Sequence, residues 1–245
     1  TIMAKHEWPI NAERFIAYFD IMGFKNMIKT GNGNGNGNLT DLYNKFMTLI
    51  KTNIKGNRRT RITYYIYSDL IVVVTQDSSQ DSLKQLLEAA VKITNQILNL
   101  DWGVSGSIAK GKLIFDKQNQ IFLGQPVVDA YLAQEDVEFY GIVICDSAVE
   151  EVKKYISDVK SKKITKHLSG LLKEDRLHFK TGYYSQYHLR WFDYEYNEKG
   201  PKHPYYIKKA NGEQIKHKMI TMLHSTKGKA KRYIENTMEL FNIDA

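Results

Sequence analysis

The sequence predicts an α+β fold, in which a central sheet carries helices on one face. Short runs rich in β-branched and aromatic residues alternate along it with longer segments whose apolar residues recur at helical spacing. The polar pair Ser68-Asp69 separates two of these runs, which predicts a central hairpin. With 42% hydrophobic and 25% charged residues, the composition excludes a mainly disordered, collagen-like or coiled-coil chain.

The predicted elements follow the order β-α-α-β-β-α-β-β-α-β-α over the first 160 residues. The first strand runs from Arg14 to Ile21 and is broken by Met22-Gly23-Phe24, after which a short helix begins at Lys25. A second helix begins at Leu39 and is stopped by Gly56-Asn57. Further strands are predicted over residues 60–67, 70–75, 104–114, 120–123 and 141–145. Further helices are predicted over residues 81–100, 125–134 and 146–159.

Beyond residue 160 the periodic signal is weaker. Strands are predicted at 177–179, 188–196 and 205–207, and helices at 215–224 and 230–241. Since no repeat or linker separates the two parts, residues 1–160 are interpreted as one domain and 161–245 as an extension of it. The strict Gly-Asn alternation from Gly31 to Asn38 predicts a mobile surface loop.

The net charge of +8 is unevenly distributed. Residues 1–150 hold 15 basic and 16 acidic residues, giving −1, whereas residues 151–245 hold 20 and 11, giving +9. Such a basic segment attracts polyanions, but a solvated lysine-rich surface is the favoured interpretation. The tyrosine pairs 183–184 and 205–206 lie among Lys and His residues. Such a pattern can bind single-stranded nucleic acid. It can also cover a sheet or a dimer interface, which is the interpretation that we favour.

Several classes of protein are excluded by what the sequence lacks. No segment approaches the roughly 18 apolar residues of a membrane span, and residues 1–10 have no signal-peptide core. Cys145 is the single cysteine, so neither an intrachain disulfide nor a cysteine-rich zinc site is expected. The histidines show no metal-ligand spacing of the His-Glu-x-x-His kind. We therefore expect a cytoplasmic protein without a membrane partner.

Two aspartates stand where strands end. Asp20 ends a buried strand just before a glycine turn and a helix start, so its carboxylate can face a metal while free N–H groups face a phosphate. Asp69 lies at the tip of the predicted hairpin. Alone, each has an ordinary structural explanation, a helix cap for Asp20 and a turn residue for Asp69. Together they form the pattern that holds two Mg²⁺ or Mn²⁺ ions for phosphoryl transfer.

A third feature is a series of glycines. Gly106 and Gly111 interrupt one strand, and Gly124 precedes Gln125-Pro126 at a helix start. Glycines permit close approach of the backbone to a ligand, although this signal is weak by itself.

In this order, these motifs resemble the catalytic domain of class III nucleotide cyclases. The resemblance covers roughly residues 14–155. It is nearest to the pyrimidine cyclases of bacterial Pycsar anti-phage systems, which have sequence segments similar to FIAYFDIMGF, YSD and GQPVVDAY. It implies a ferredoxin-like fold with a mostly antiparallel sheet. It also implies a head-to-tail homodimer with active sites across the interface, and a cyclic pyrimidine product sensed by a separate effector protein.

The resemblance also implies roles for individual residues. Asp20 and Asp69 would bind two divalent cations, Mn²⁺ or Mg²⁺, with the Ile21 carbonyl as a further ligand. One cation would activate the ribose 3′-hydroxyl, and the other would hold the triphosphate of the substrate. The N–H groups of Gly23 and Phe24 would cradle phosphates, with Ser68 beside them.

The sequence departs from this family at several positions. Counted without gaps, Val128 and Leu132 occupy the places of the usual Asn and Arg, and Ser105 that of another frequent Arg. Tyr65 and Ile121 replace the base-reading Lys and Asp of adenylyl cyclases, which argues against ATP. Tyr65 could stack on or hydrogen-bond a pyrimidine, but a tyrosine packed within its strand is the favoured interpretation. We favour UTP over CTP. Substitutes for the missing arginines are sought among nearby cations, Lys110 first because it adjoins Gly111, then Lys112, Arg58, Arg59 and Arg61.

Two other functions remain open from the sequence. The missing arginines fit a non-catalytic cyclase-homology domain that only binds a nucleotide, although the retained Asp pair opposes this. The basic C-terminal third and its tyrosines fit a single-stranded nucleic-acid-binding module, whose binding would depend steeply on salt.

Overall fold

The structure is a computed structural model that describes residues 8–24, 44, 47–48, 60–161, 170–196, 207–209 and 213–244. The short helix predicted from Lys25, the Gly-Asn tract and nearly all of the helix predicted over 39–56 lie outside the described residues. So do Arg58, Arg59 and the tyrosine pair 205–206.

The fold is organised around an eight-stranded sheet. Its strands are β1 (Asn11–Met22), β2 (Ile62–Tyr67), β3 (Leu70–Thr75), β4 (Gly103–Asp116), β5 (Ile121–Leu123), β6 (Gly141–Ile144), β7 (Leu172–Phe179) and β8 (Gly182–Leu189). They lie in the order β2-β3-β1-β4-β6-β8-β7, and β5 pairs with β4 off this path. The β4–β6 pair is parallel, whereas the other pairs of this sheet are antiparallel. The predicted mostly antiparallel sheet is confirmed.

Five helices are described around the sheet. They are α1 (Gln80–Asn99), α2 (Gln125–Asp136), α3 (Asp146–Ser161), α4 (Glu213–Ser225) and α5 (Lys229–Phe241). The α+β class is confirmed, and these helices start and end within a few residues of their predicted bounds. Within the described ranges, no helix is long and apolar enough to cross a membrane.

The two faces of the sheet bury different helices. Alternate β1 residues such as Phe15 and Phe19 pack with α1, α3, α4 and α5, whereas Ile16 and Tyr18 pack on the opposite side with Ala130 of α2. The expectation of helices on one face therefore holds for four helices and fails for α2. Small residues on both elements let α2 approach the sheet closely. Ser107 of β4 donates a hydrogen bond to the carbonyl of Ala130 in α2.

The segment after residue 170 adds to the same core. Helix α5 is fixed to it by Thr237, whose hydroxyl accepts a 2.7 Å hydrogen bond from the backbone N–H of Tyr140. The predicted strand 188–196 is in fact two strands, β8 and β9 (Tyr194–Tyr196), separated by a 3₁₀ turn at Trp191–Asp193. The turn forms because the buried Trp191 indole donates to the Tyr140 carbonyl at 3.1 Å. Strand β9 pairs with β10 (Ile207–Lys209) in a separate small sheet.

Candidate active site

The pairing of β1 with β3 brings the two aspartates together. Asp20 pairs with Leu70, the residue after Asp69, and the backbone N–H of Ile21 donates a 2.9 Å hydrogen bond to the Asp69 carbonyl. Ser68, at the hairpin tip, has a positive φ of 58°, which allows the two-residue turn. The hairpin thus holds Asp69 beside Asp20 through backbone geometry alone.

The carboxylate of Asp20 is in an unfavourable environment for its own charge. Burial raises its pKa above the usual value, and the negative charge of Asp69 raises it further. Positive charges on Lys229 and Lys180, together with a hydrogen bond from Gln134, act in the opposite direction. A buried carboxylate beside a second negative charge forms a site that a cation would stabilise.

Asp20 is positioned by residues from α2 and β4. Ser105 lies directly across from it on β4, and the buried side chain of Gln134 donates a 3.1 Å hydrogen bond to the Ser105 hydroxyl. The same Gln134 side chain hydrogen-bonds to Asp20. Sequence analysis missed Gln134, since a lone glutamine near the end of a helix carries no recognisable signal.

The predicted phosphate cradle lies immediately after β1. Gly23 has a φ of 81°, and among the described residues no atom outside its two chain neighbours lies within 4 Å of the place where its Cβ would be. Phe24 is buried and helical. The described residues therefore leave room beside Gly23 for a phosphate.

Tyr65 lies on the same face of the sheet as Asp20, two strands away. It pairs with Val72, and its ring packs edge-on against Phe122, with 4.9 Å between ring centroids. Tyr67, in the row of Asp20 and Leu70, stacks against Tyr65 at 6.5 Å. The structure therefore supports the packed-tyrosine interpretation while leaving Tyr65 half-buried on the correct face.

Lys110 is not brought to the aspartates. It pairs with Phe15, five residues along β1 from Asp20, or about 17 Å at 3.4 Å per residue. Its amine is engaged by Glu151 at 2.9 Å and by Glu13 at 3.9 Å. The other described candidates lie farther away. Lys112 pairs with Glu13, seven residues along β1 from Asp20. Arg61 precedes β2, at the end of the hairpin away from Asp69, and forms a 2.8 Å ion pair with Asp77.

The glycines of the third motif serve packing. A Cβ on Gly106 would come within 2.5 Å of the Tyr18 carbonyl, and one on Gly124 within 2.4 Å of the Lys112 carbonyl. Gly111 faces Pro126 at the start of α2. The close approach that these glycines allow is to the chain itself, so the proposed approach to a ligand is not supported at these positions.

The helix α2, which packs on this face of the sheet, exposes several apolar side chains to solvent. We call these side chains the apolar patch, which consists of Val128, Tyr131 and Leu132. Val128 and Leu132, at the places of the family's Asn and Arg, are 48% and 56% exposed. Exposed apolar residues in this concentration are typical of a protein interface.

Two carboxylates suit Mg²⁺ or Mn²⁺ by the chemistry of their oxygen donors. The described residues contain no group of three or more His, Cys, Asp or Glu that could hold a metal. Mg²⁺ sites that act on nucleotides commonly use one or two carboxylates and complete the coordination with water and substrate phosphates. Asp20 and Asp69 therefore fit cations that bind together with a triphosphate.

Comparison with known proteins gives likenesses in structure. No protein-family model and no curated protein matches the sequence. The adenylyl cyclase CyaB from P. aeruginosa is similar over 78% of this chain and 98% of its own, at 14% identity and a TM-score of 0.49. The catalytic core of a rhodopsin-guanylyl cyclase is similar over 73% and 94%, at 14% identity and a TM-score of 0.48. At this similarity, no activity or substrate passes from those proteins to this chain.

Proposed function

We propose that the protein is a metal-dependent nucleotide cyclase that converts UTP, or alternatively CTP, to the 3′,5′-cyclic monophosphate and pyrophosphate. The observation that carries this proposal is the Asp20–Asp69 pair, held at adjacent strand ends beside the open turn at Gly23. The motif resemblance supplies the reaction type.

The chain's own residues provide position and charge for this reaction. Asp20 and Asp69 hold Mg²⁺ or Mn²⁺, with the Ile21 carbonyl as a further ligand. When bound, the cations lower the pKa of the ribose 3′-hydroxyl and neutralise the triphosphate. The Gly23 and Phe24 N–H groups face the phosphates, and Ser68 lies at the tip of the same site. Since the attacking hydroxyl belongs to the substrate, orientation supplies much of the acceleration.

Pyrimidine preference is the finer part of the proposal. Tyr65 lies on the face of Asp20 with one side of its ring against Phe122, so it can contact a small base through its hydroxyl or its remaining face. UTP is favoured over CTP. The product serves as a second messenger for a separate effector in anti-phage defence, a role that rests on the motif resemblance.

A homodimer is the second finer part. The apolar patch lies on the sheet face that carries Asp20, and a second copy of the chain would cover it and close the active sites at the interface. Val128 and Leu132 would then serve association, since neither can contact a phosphate by hydrogen bonding.

The proposal is tested by the substitutions Asp20→Asn and Asp69→Asn. Both are expected to reduce formation of the cyclic nucleotide by at least about a hundredfold while leaving the circular dichroism spectrum unchanged. Glu150→Gln, a surface carboxylate on α3 that is 87% exposed, is the matched control and should retain full activity. Normal turnover by either aspartate variant would refute the site.

A non-catalytic nucleotide-binding domain is a second candidate, favoured by the apolar residues at positions 128 and 132. It predicts Mn²⁺-dependent binding of a triphosphate with no release of pyrophosphate. Parallel measurement of nucleotide binding and pyrophosphate release separates the two candidates. Steeply salt-dependent binding to oligonucleotides would instead support a single-stranded nucleic-acid-binding module.

A further inference from the structure

We propose that Lys229, the first residue of α5, binds the triphosphate of the nucleotide in the same chain that supplies Asp20. This inference rests on the proposed cyclase function and assigns a substrate contact to the segment beyond residue 160.

Helix α5 is rigidly attached near the start of β6. Thr237 accepts its hydrogen bond from Tyr140, and the Asn236 side chain donates to the Glu138 carbonyl at 2.7 Å. The Arg232 guanidinium also pairs with the Glu138 carboxylate. These contacts fix the direction of the helix and therefore the place of its first turn.

A series of contacts leads from Lys229 to the strand end that carries Asp20. The Lys229 amine lies 5.5 Å above the ring of Tyr233, whose centroid is 6.1 Å from that of Tyr140. The Tyr140 ring lies so close to Gly103 that a Cβ there would come within 2.3 Å of it. Gly103 pairs with Met22, two residues beyond Asp20. The first turns of α5 therefore lie at the edge of the sheet where the aspartates are.

The electrostatics of the region agree with this placement. Lys229 and Tyr233 each interact electrostatically with the carboxylate of Asp20. The first turns of α5 therefore lie within electrostatic range of that carboxylate.

Lys229 is also available for a ligand. It is exposed, and no carboxylate of the described residues lies within ion-pair distance of its amine. Lys231, on the same helix, differs because it pairs with Glu235 at 3.7 Å. An exposed lysine that forms no ion pair with a described residue, near two proposed metal-binding carboxylates, is placed to neutralise phosphate oxygens.

The proposed site lacks the arginines that neutralise the charge of the substrate in the family it resembles. The usual arginine places hold Ser105 and Leu132, and the first sequence candidate, Lys110, is ion-paired about 17 Å away along the sheet. Lys229 supplies a positive charge from a part of the chain outside the cyclase motifs.

The test compares Lys229→Gln with the matched control Lys231→Gln. The first variant is expected to raise the KM for the nucleotide, and the inhibition constant of inorganic tripolyphosphate, about tenfold or more, because a hydrogen bond to a charged group is lost. Lys229→Arg should recover most of the affinity. Equal kinetic constants for the Lys229→Gln variant and the wild type would overturn the proposal, as would an equal loss in the control.

Mixing two variants tests whether Lys229 and Asp20 act in one chain. If Lys229 and Asp20 act in the same chain, one site of each mixed dimer carries Asp20→Asn and the other carries Lys229→Gln. Mixing the two variants should then give no recovery of activity. Recovery towards about a quarter of wild-type activity in a randomly reassorted 1:1 mixture would mean that the two residues come from different subunits, since half of the dimers would then be mixed and each would have one intact site. If the wild type converts none of the nucleotides, the proposed function itself fails, which is a different result from an active enzyme unaffected at Lys229.

Discussion

The backbone N–H of Ile21 donates a 2.9 Å hydrogen bond to the carbonyl of Asp69. This bond connects the end of β1 to the tip of the β2–β3 hairpin. Its donor belongs to the residue after Asp20, and its acceptor belongs to Asp69 itself. The backbone positions that carry the two carboxylates are therefore held together by main-chain pairing, as a site for positioning and charge neutralisation requires.

Gln134 is predicted to position Asp20. Gln134→Met removes a hydrogen bond that lowers the pKa of Asp20, so that pKa should rise further. Because a metal binds the ionised carboxylate, the acidic limb of the pH–rate profile should move to higher pH, with kcat/KM about tenfold lower near neutrality. Gln125→Met, at the exposed start of the same helix, is the control. An unchanged acidic limb in the Gln134 variant would contradict this role.

Gly106 is predicted to matter mainly for folding stability, and Gly23 mainly for turnover. Gly106→Ala should lower the free energy of unfolding by about 1–3 kcal/mol, because its Cβ would meet the Tyr18 carbonyl. The Cβ of Gly23→Ala meets no described residue outside its two chain neighbours. This variant should therefore lower the free energy of unfolding only by the roughly 1–2 kcal/mol of a left-handed backbone, while reducing turnover more strongly. Denaturant unfolding and kinetics measured on both variants check this. A Gly23→Ala enzyme with full activity would contradict the phosphate cradle.

Glu88 of α1 is predicted to make stability depend on pH. Burial raises its pKa from 4.5 to about 8, although Lys84 opposes the shift. The folded protein therefore keeps a proton that the unfolded chain loses, and the free energy of unfolding should fall as pH rises from about 4.5 to about 8. Glu88→Gln should flatten this decline and stabilise the protein at pH 8. Denaturant unfolding across this range measures it, and parallel profiles for wild type and variant would contradict the assignment.

Leu132 is predicted to lie in the interface of the homodimer. Leu132→Glu places a charge within the apolar patch, so the dissociation constant should rise at least about a hundredfold and activity should fall with it. Glu135→Gln, on the same helix and exposed, should do neither. Sedimentation and activity measured at the same concentrations test this. A monomeric wild type with full activity would refute the interface.

Within the described residues, the element order and the closeness of Asp20 to Asp69 could be predicted because both follow from short-range patterns. The run from Arg14 to Ile21 and the turn at Ser68 are local signals, and the hairpin geometry then fixes which residues are neighbours. The packing of α2 on the second face could not be predicted from its sequence. Its buried positions, Pro126, Ala130 and Gln134, form no apolar stripe.

The cations near the site could not be located from the sequence for a different reason. Lys110 adjoins Gly111 in the sequence, but the strand register decides its distance from Asp20 and places it opposite Phe15. Lys229 is more than 200 residues from Asp20 in the chain, and its position depends on the docking of α5 through Thr237. Tertiary contacts of this kind leave no periodic pattern in the amino-acid sequence.

The measurement that tests the central claim most directly is turnover of ATP, GTP, CTP and UTP with Mn²⁺, with cyclic products resolved by mass spectrometry. The account predicts a 3′,5′-cyclic product and pyrophosphate from UTP or CTP, lost in the Asp20→Asn variant. A folded, dimeric protein that binds a triphosphate but yields no cyclic product from any of the four would contradict it.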